Sequence, residues 1–299
     1  MSSPESLATL STGVEICFQT FGSPDGDPLL LVMGLGGPMI WWDEEFCQQL
    51  ADHGFFVIRY DNRDTGRSTK IKARATRTRL VRAFAGRGAP PPYTLTDMSD
   101  DAFALLDHLD IDAAHIVGVS MGGMIVQTMA LAHPERVLSM TSIMSTTGRR
   151  TVGWQHPKLL PMLIAPRGPG KAAYAETSAR MWRMIGSPGY PKPVEESRAL
   201  AEATFDRGFS ASGVMRQMLA ILDQPDRSRA LRELRVPSLV IHGLSDRMVH
   251  VSGGRATAAA IPGAELILVP GMGHDMPPAL FGDFAEAIRR TADRAETHA

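Results

Sequence analysis

The chain has 299 residues, 44% hydrophobic and 21% charged, with 28 Gly and 21 Pro; this composition builds a sizeable core and excludes disorder, collagen and coiled coil. Lys and Arg number 31 against 32 Asp and Glu, a net charge of -1, so no global field draws the molecule to nucleic acid or to an anionic membrane. The length suits one large domain with an insertion, or two small domains. Two cysteines, Cys17 and Cys47, are too few for a disulfide framework or a zinc cluster and read as buried reduced thiols. The N-terminal segment has no basic stretch leading into an apolar run, and nothing approaches the roughly 20 apolar residues of a membrane span. The expectation is a cytoplasmic protein without metal or cofactor, of open oligomeric state.

In chain order, strand-length apolar runs occupy residues 14–20 and 29–33, and the second leads into Met33-Gly34-Leu35-Gly36-Gly37. A helical pattern over 43–53 precedes a strand at 55–60. Residues 70–96 carry seven basic side chains (Lys70, Lys72, Arg74, Arg77, Arg79, Arg82, Arg87) and no acidic one; a long loop or short extra helix with a solvated face is expected. A helix over 96–109, a strand at 115–119, a helix over 121–133 and a strand at 137–144 follow. Alternation fails from about 146 to 228; six methionines from Met144 to Met218 and the aromatics Trp154, Tyr174, Trp182 and Tyr190 fall in or beside this stretch and point to a helical insertion, with Met suited to an irregular apolar ligand. It resumes with a strand at 238–242, a helix over 252–261, a strand at 265–269 and a helix over 278–290. Runs apolar on both faces, joined by crossover helices, define an α/β class with a doubly wound, mostly parallel sheet. The divisions are 1–146 (core, first part), 147–228 (helical cap) and 229–299 (core, second part).

Gly118-Val119-Ser120-Met121-Gly122 lies between a strand and a helix. A sharp strand-to-helix turn exposes the central serine in a strained conformation, and small residues two positions away on either side prevent clashes. The Met121 N–H then points to where an oxyanion would form. A serine hydroxyl is a weak nucleophile and needs a base with an orienting acid. His274, in the loop Pro270-Gly271-Met272-Gly273-His274 after the last strand, is the candidate base. Asp246, in the loop after residues 238–242, is the candidate acid; Asp275 is a rival, and Arg247 could make Asp246 a mere salt-bridge partner. The Leu35 N–H is the candidate second oxyanion donor, because flanking glycines let that backbone approach a substrate.

The order Ser, Asp, His in these settings resembles the α/β-hydrolase fold superfamily over essentially the whole chain. Arg59-Tyr60-Asp61-Asn62-Arg63-Asp64-Thr65-Gly66-Arg67-Ser68 resembles the family's D-x-R-G-x-G-x-S stretch, departing at Asp64 and Thr65, and Met33-Gly34 replaces the usual His-Gly. With Pro-Gly-Met-Gly-His, these features are similar to capped hydrolases of the aclacinomycin methylesterase type. The resemblance implies a small-molecule carboxylic ester substrate, a helical cap over 147–228, and neither nucleic acid nor membrane as partner. Position suggests Trp41, Trp42, Met144, Trp154, Met181 and Trp182 as substrate-binding residues, although the adjacent Trp41 and Trp42 cannot both face a pocket fully. An aminopeptidase, with Glu195, Glu196 and Glu202 holding an amine, a thioesterase, a carbon-carbon bond hydrolase and a perhydrolase would use the same three residues. A non-catalytic ligand receptor on this fold is a further alternative.

Overall fold

A computed structural model of the chain describes residues 2–159 and 170–296. Its eight strands are β1 (Ser6–Thr9), β2 (Glu15–Phe21), β3 (Asp27–Val32), β4 (Phe55–Tyr60), β5 (Ala114–Val119), β6 (Val137–Ile143), β7 (Ser238–Gly243) and β8 (Glu265–Val269). They form one sheet in the order β1-β2-β4-β3-β5-β6-β7-β8. β1 and β2 pair antiparallel with each other and β2 with β4, while all the remaining pairs are parallel.

Successive residues of a strand point to opposite faces, and the apolar runs therefore feed two cores. Leu30, Val32, Ile58, Tyr60 and Ile116 pack on one side with helices α3 (Leu95–His108) and α4 (Met121–Ala132). Leu29, Leu31, Val57, Val117 and Val119 pack on the other, against α1 (Glu44–Asp52) and the C-terminal helix. A short helix, α2 (Arg77–Phe84), forms inside the basic segment, capped by Thr76. β1 has no apolar run to reveal it: Leu7 is exposed, and the strand exists by edge pairing with β2. From β3 the chain crosses one way to β4 and the other way to β5. The carboxyl ends of β3 and β5 thus flank the switch point where open α/β sheets place their ligands.

Between β6 and β7 lie α5 (Gly170–Ile185), α6 (Val194–Asp206) and α7 (Ala211–Asp223), with no strand among the described residues of 147–228. Part of the expected insertion, Met162 included, lies outside the described residues. Buried ion pairs tie the insertion to the loop after β4: Arg216 Nη2 is 2.7 Å from Asp64 Oδ1, and Arg207 Nη2 is 2.9 Å from Asp61 Oδ2. After β7 come α8 (Ser252–Ala260) and, beyond β8, α9 (Phe281–Glu296). The last helix runs past residue 290 because Phe281, Phe284, Ala285, Ile288 and Ala292 continue a buried stripe at helical spacing. Among the described residues no helix is long and apolar enough to cross a membrane.

Candidate active site

Ser120 occupies the turn between β5 and α4 with φ 57 and ψ -116, a backbone conformation that costs a non-glycine residue on the order of 1–3 kcal/mol. Close packing enforces it. A Cβ on Gly122 would lie 1.9 Å from the Val32 carbonyl oxygen, and one on Gly118 would lie 2.2 Å from the Gly122 oxygen. The turn is pinned by Ser120 N–H donating to Ile143 O at 2.9 Å and by Ser145 Oγ donating to Ser120 O at 2.7 Å. Helices α1, α2, α3 and α7 each carry a side-chain N-cap, whereas α4 has none. Its first N–H groups, with the positive end of the helix dipole, are left facing the site.

The structure brings Ser120, His274 and Asp246 into one line. Ser120 Oγ is 3.0 Å from His274 Nε2, and His274 Nδ1 is 2.7 Å from Asp246 Oδ2. A carboxylate only accepts, so Nδ1 carries the proton and Nε2 is free to accept from the serine hydroxyl. Asp246 Oδ1 accepts from the Met248 and Val249 N–H groups at 2.8 and 2.9 Å. Burial opposes the charge on Asp246, but attraction to His274, the His274 hydrogen bond and the neighbouring His242 outweigh it, holding the carboxyl down at about 2. Asp275 faces away from the ring, accepting from Ser187 Oγ, and burial pushes its carboxyl above the usual range.

The β3 loop lies against the nucleophile: a Cβ on Gly34 would be 3.2 Å from Ser120 Cβ. Neither the Leu35 nor the Met121 N–H meets an acceptor among the described residues. Asn62 Nδ2 donates to Met33 O at 3.0 Å, and Gly36 N–H donates to Gln217 Oε1 at 2.8 Å, so the loop is held from the core and from α7. Gly36 has φ +66 and packs under Val214, where glycine is required.

Of the expected lining residues, Trp41 and Trp182 meet edge to face at 5.4 Å, and Trp41 Nε1 donates to Thr204 Oγ1 on α6. Met181, on α5, is half-buried. Trp154 is 46% exposed and stacks on His250, in the loop that carries Asp246. Trp42 and Met144 are corrections. Trp42 is 1% exposed and stacks on Phe46, and Met144 is fully buried in the same core, so neither leaves surface for a ligand. Motif reading also misses His242, whose Nε2 donates to Val249 O and lies 3.5 Å from Asp246 Oδ2, and Ser187 and Gln217 of the insertion. His242 had a signal, four residues before Asp246 at the same strand end; Ser187 and Gln217 had none.

Known proteins resemble this chain over nearly its whole length. The family model for the alpha/beta hydrolase fold matches residues 27–277. Rhodomycin D methylesterase DauP of Streptomyces sp. (strain C5) is 30% identical over 92% of this chain and 94% of its own length. Rhodomycin D methylesterase DnrP of Streptomyces peucetius is 29% identical over the same shares. Among solved structures, a hydrolase from Pseudomonas aeruginosa PA01 superposes with a TM-score of 0.71 at 25% identity, covering 98% of each chain. The chain belongs to the alpha/beta hydrolase fold family.

Proposed function

We propose that the protein hydrolyses a carboxylic ester of an apolar small molecule through an acyl-enzyme on Ser120, with residues 147–228 forming a cap over the site. The observation that carries this reading is the hydrogen-bonded line from Ser120 through His274 to Asp246, beside the uncapped N-terminus of α4. The two methylesterase relatives support an ester as the scissile group. The aromatic contact of Trp41 with Trp182, between the core and the insertion, supports an apolar substrate.

His274 Nε2 takes the Ser120 proton as Oγ attacks the ester carbonyl carbon. The carbonyl oxygen gains negative charge and is met by the Leu35 and Met121 N–H groups, each donor of this kind contributing about 100- to 1000-fold in rate. Asp246 stabilises the imidazolium, which then protonates the departing alkoxide as the C–O bond breaks. Water enters, gives its proton to the same nitrogen and attacks the acyl carbon; collapse returns the proton to Ser120 Oγ and releases the acid. Glu195, Glu196 and Glu202 are all exposed, and Glu196 pairs with Lys192, which lends the aminopeptidase alternative no support.

Turnover of a series of aryl and methyl esters by the wild type, against Ser120→Ala and His274→Ala, tests the proposal. Each variant is expected to lose at least about 1000-fold in kcat while keeping its fold. A folded Ser120→Ala protein with wild-type turnover contradicts it.

A further inference from the structure

The loop that carries His274 is held from two sides: Met272 is fully buried in the core and its backbone packs on Gly243 of β7, while the residues next to His274 rest on the insertion. Gly271 and Gly273 bring no side chains, and from its own core the loop takes two backbone hydrogen bonds, Met272 N–H to Val269 O and Ser245 N–H to Met272 O. The insertion supplies the rest, from the turn after α5. His274 N–H donates to Ile185 O at 2.7 Å, Gly189 N–H donates to Gly271 O at 2.9 Å, and Gly273 N–H donates to Ser187 Oγ at 2.8 Å. The two segments meet backbone to backbone with no slack. A Cβ on Gly273 would be 2.4 Å from both the Ile185 and Gly186 carbonyl oxygens, and one on Gly189 would be 2.8 Å from Gly271 Cα.

Ser187 joins both ends of this contact. A hydroxyl has one proton and two acceptor lone pairs. Its proton goes to Asp275 Oδ1, which turns a lone pair toward the Gly273 N–H. Ser187 is 5% exposed, so water cannot readily replace it in either bond. The residues on either side of His274 are thereby fixed to one insertion side chain, while the His274 amide itself ends on Ile185.

On the reading of Ser120 as nucleophile, we propose that Ser187, oriented by Asp275, is a positioning residue that holds His274 over Ser120. The insertion then sets the base as well as covering the site, and displacement of the turn 185–189 would uncouple His274 from Ser120. A base about 1 Å out of place costs on the order of 100-fold in rate; ester binding, made elsewhere, would change little.

Two measurements on the full chain test this: the rate at which a fluorophosphonate probe labels Ser120, alongside kcat and KM for an aryl ester, and hydrogen exchange across residues 271–275. Ser187→Ala is expected to lower labelling and kcat by about 100-fold, leave KM within about twofold, and speed exchange of the Gly273 and His274 amides. Ser187→Thr, which keeps the hydroxyl, and Asp275→Asn, which keeps an acceptor, should recover most of the rate. If Ser187→Ala does not fold, Asp275→Ala takes its place, with the same losses expected. Wild-type labelling in folded Ser187→Ala, or in Asp275→Ala where that variant stands in, overturns the positioning role whatever the exchange shows. A wild type that takes no label at Ser120 overturns the hydrolase reading first, and this role with it.

Discussion

Asp246 shows how one side chain settles the protonation of a whole site. Two backbone N–H groups fix one carboxylate oxygen and His274 engages the other, so the group stays ionised across the pH range of ordinary assays and the imidazole proton stays on Nδ1. Asp246→Asn should keep the fold yet present an amide that favours the wrong tautomer, and turnover should fall by on the order of 10,000-fold. Steady-state kinetics with a thermal unfolding curve checks this; a folded variant within tenfold of wild type would show that Asp246 does not orient the base. At this scale Ser120, Asp246 and His274 could be picked out as candidates because each lies just past a strand's carboxyl end and within three residues of a glycine, a local pattern with a backbone cause. Ser187 could not, because its partner Asp275 is 88 residues away and no spacing links them. Trp42 and Met144 were misplaced because an apolar side chain near a site and one beneath it read alike until burial is known.

The strand-to-helix elbow owes its shape to β3 as much as to its own sequence. Gly122 sits where α4 crosses the end of β3, and any Cβ there meets the Val32 carbonyl. Gly122→Ala should therefore push the helix off the strand, cost on the order of 3 kcal/mol in stability and abolish activity, as urea unfolding and ester assays would read. A shift below about 0.5 kcal/mol would show that the elbow tolerates side chains. Strands β4 and β8 match the expected runs residue for residue because each is a nearly continuous apolar run; β4 is buried in the middle of the sheet, whereas β8 is an edge strand and only half-buried. β1 escaped because its stability comes from edge hydrogen bonds rather than from an apolar run, and the C-terminal helix was cut short because Arg289 and Arg290 interrupt a stripe that Ala292 continues.

Over the whole molecule, the two ends of the sheet carry different pH responses. His115, where β5 begins, lies far from Ser120 along that strand, bonded to Ser139 Oγ at 2.8 Å. Burial, with Arg289 adding repulsion, pushes its pKa down to about 4 from 6.5. Between those values the unfolded chain binds a proton that the folded chain refuses, so stability is full above about pH 6.5 and falls as pH drops toward 4. The loss is on the order of 3 kcal/mol. Denaturant titrations at pH 7, 5.5 and 4 should show it, and His115→Gln should flatten the slope; an equal slope in that variant would place the titration elsewhere. Apart from Lys70, whose half-buried ammonium donates to the Thr65, Gly66 and Ser68 carbonyls, the basic segment is largely a surface stretch with its own short helix, and the ion pairs of Arg207 and Arg216 join the insertion to the core as one body. Those pairs had no trace in the sequence, since each links residues about 150 positions apart.

The central claim is that Ser120 is a nucleophile activated by His274, and intact mass after exposure to a fluorophosphonate probe tests it most directly. A single adduct on the wild type, absent from Ser120→Ala and strongly slowed in His274→Ala, is the expected result. A folded wild type that gains no adduct, or a Ser120→Ala variant that gains the same one, would contradict it.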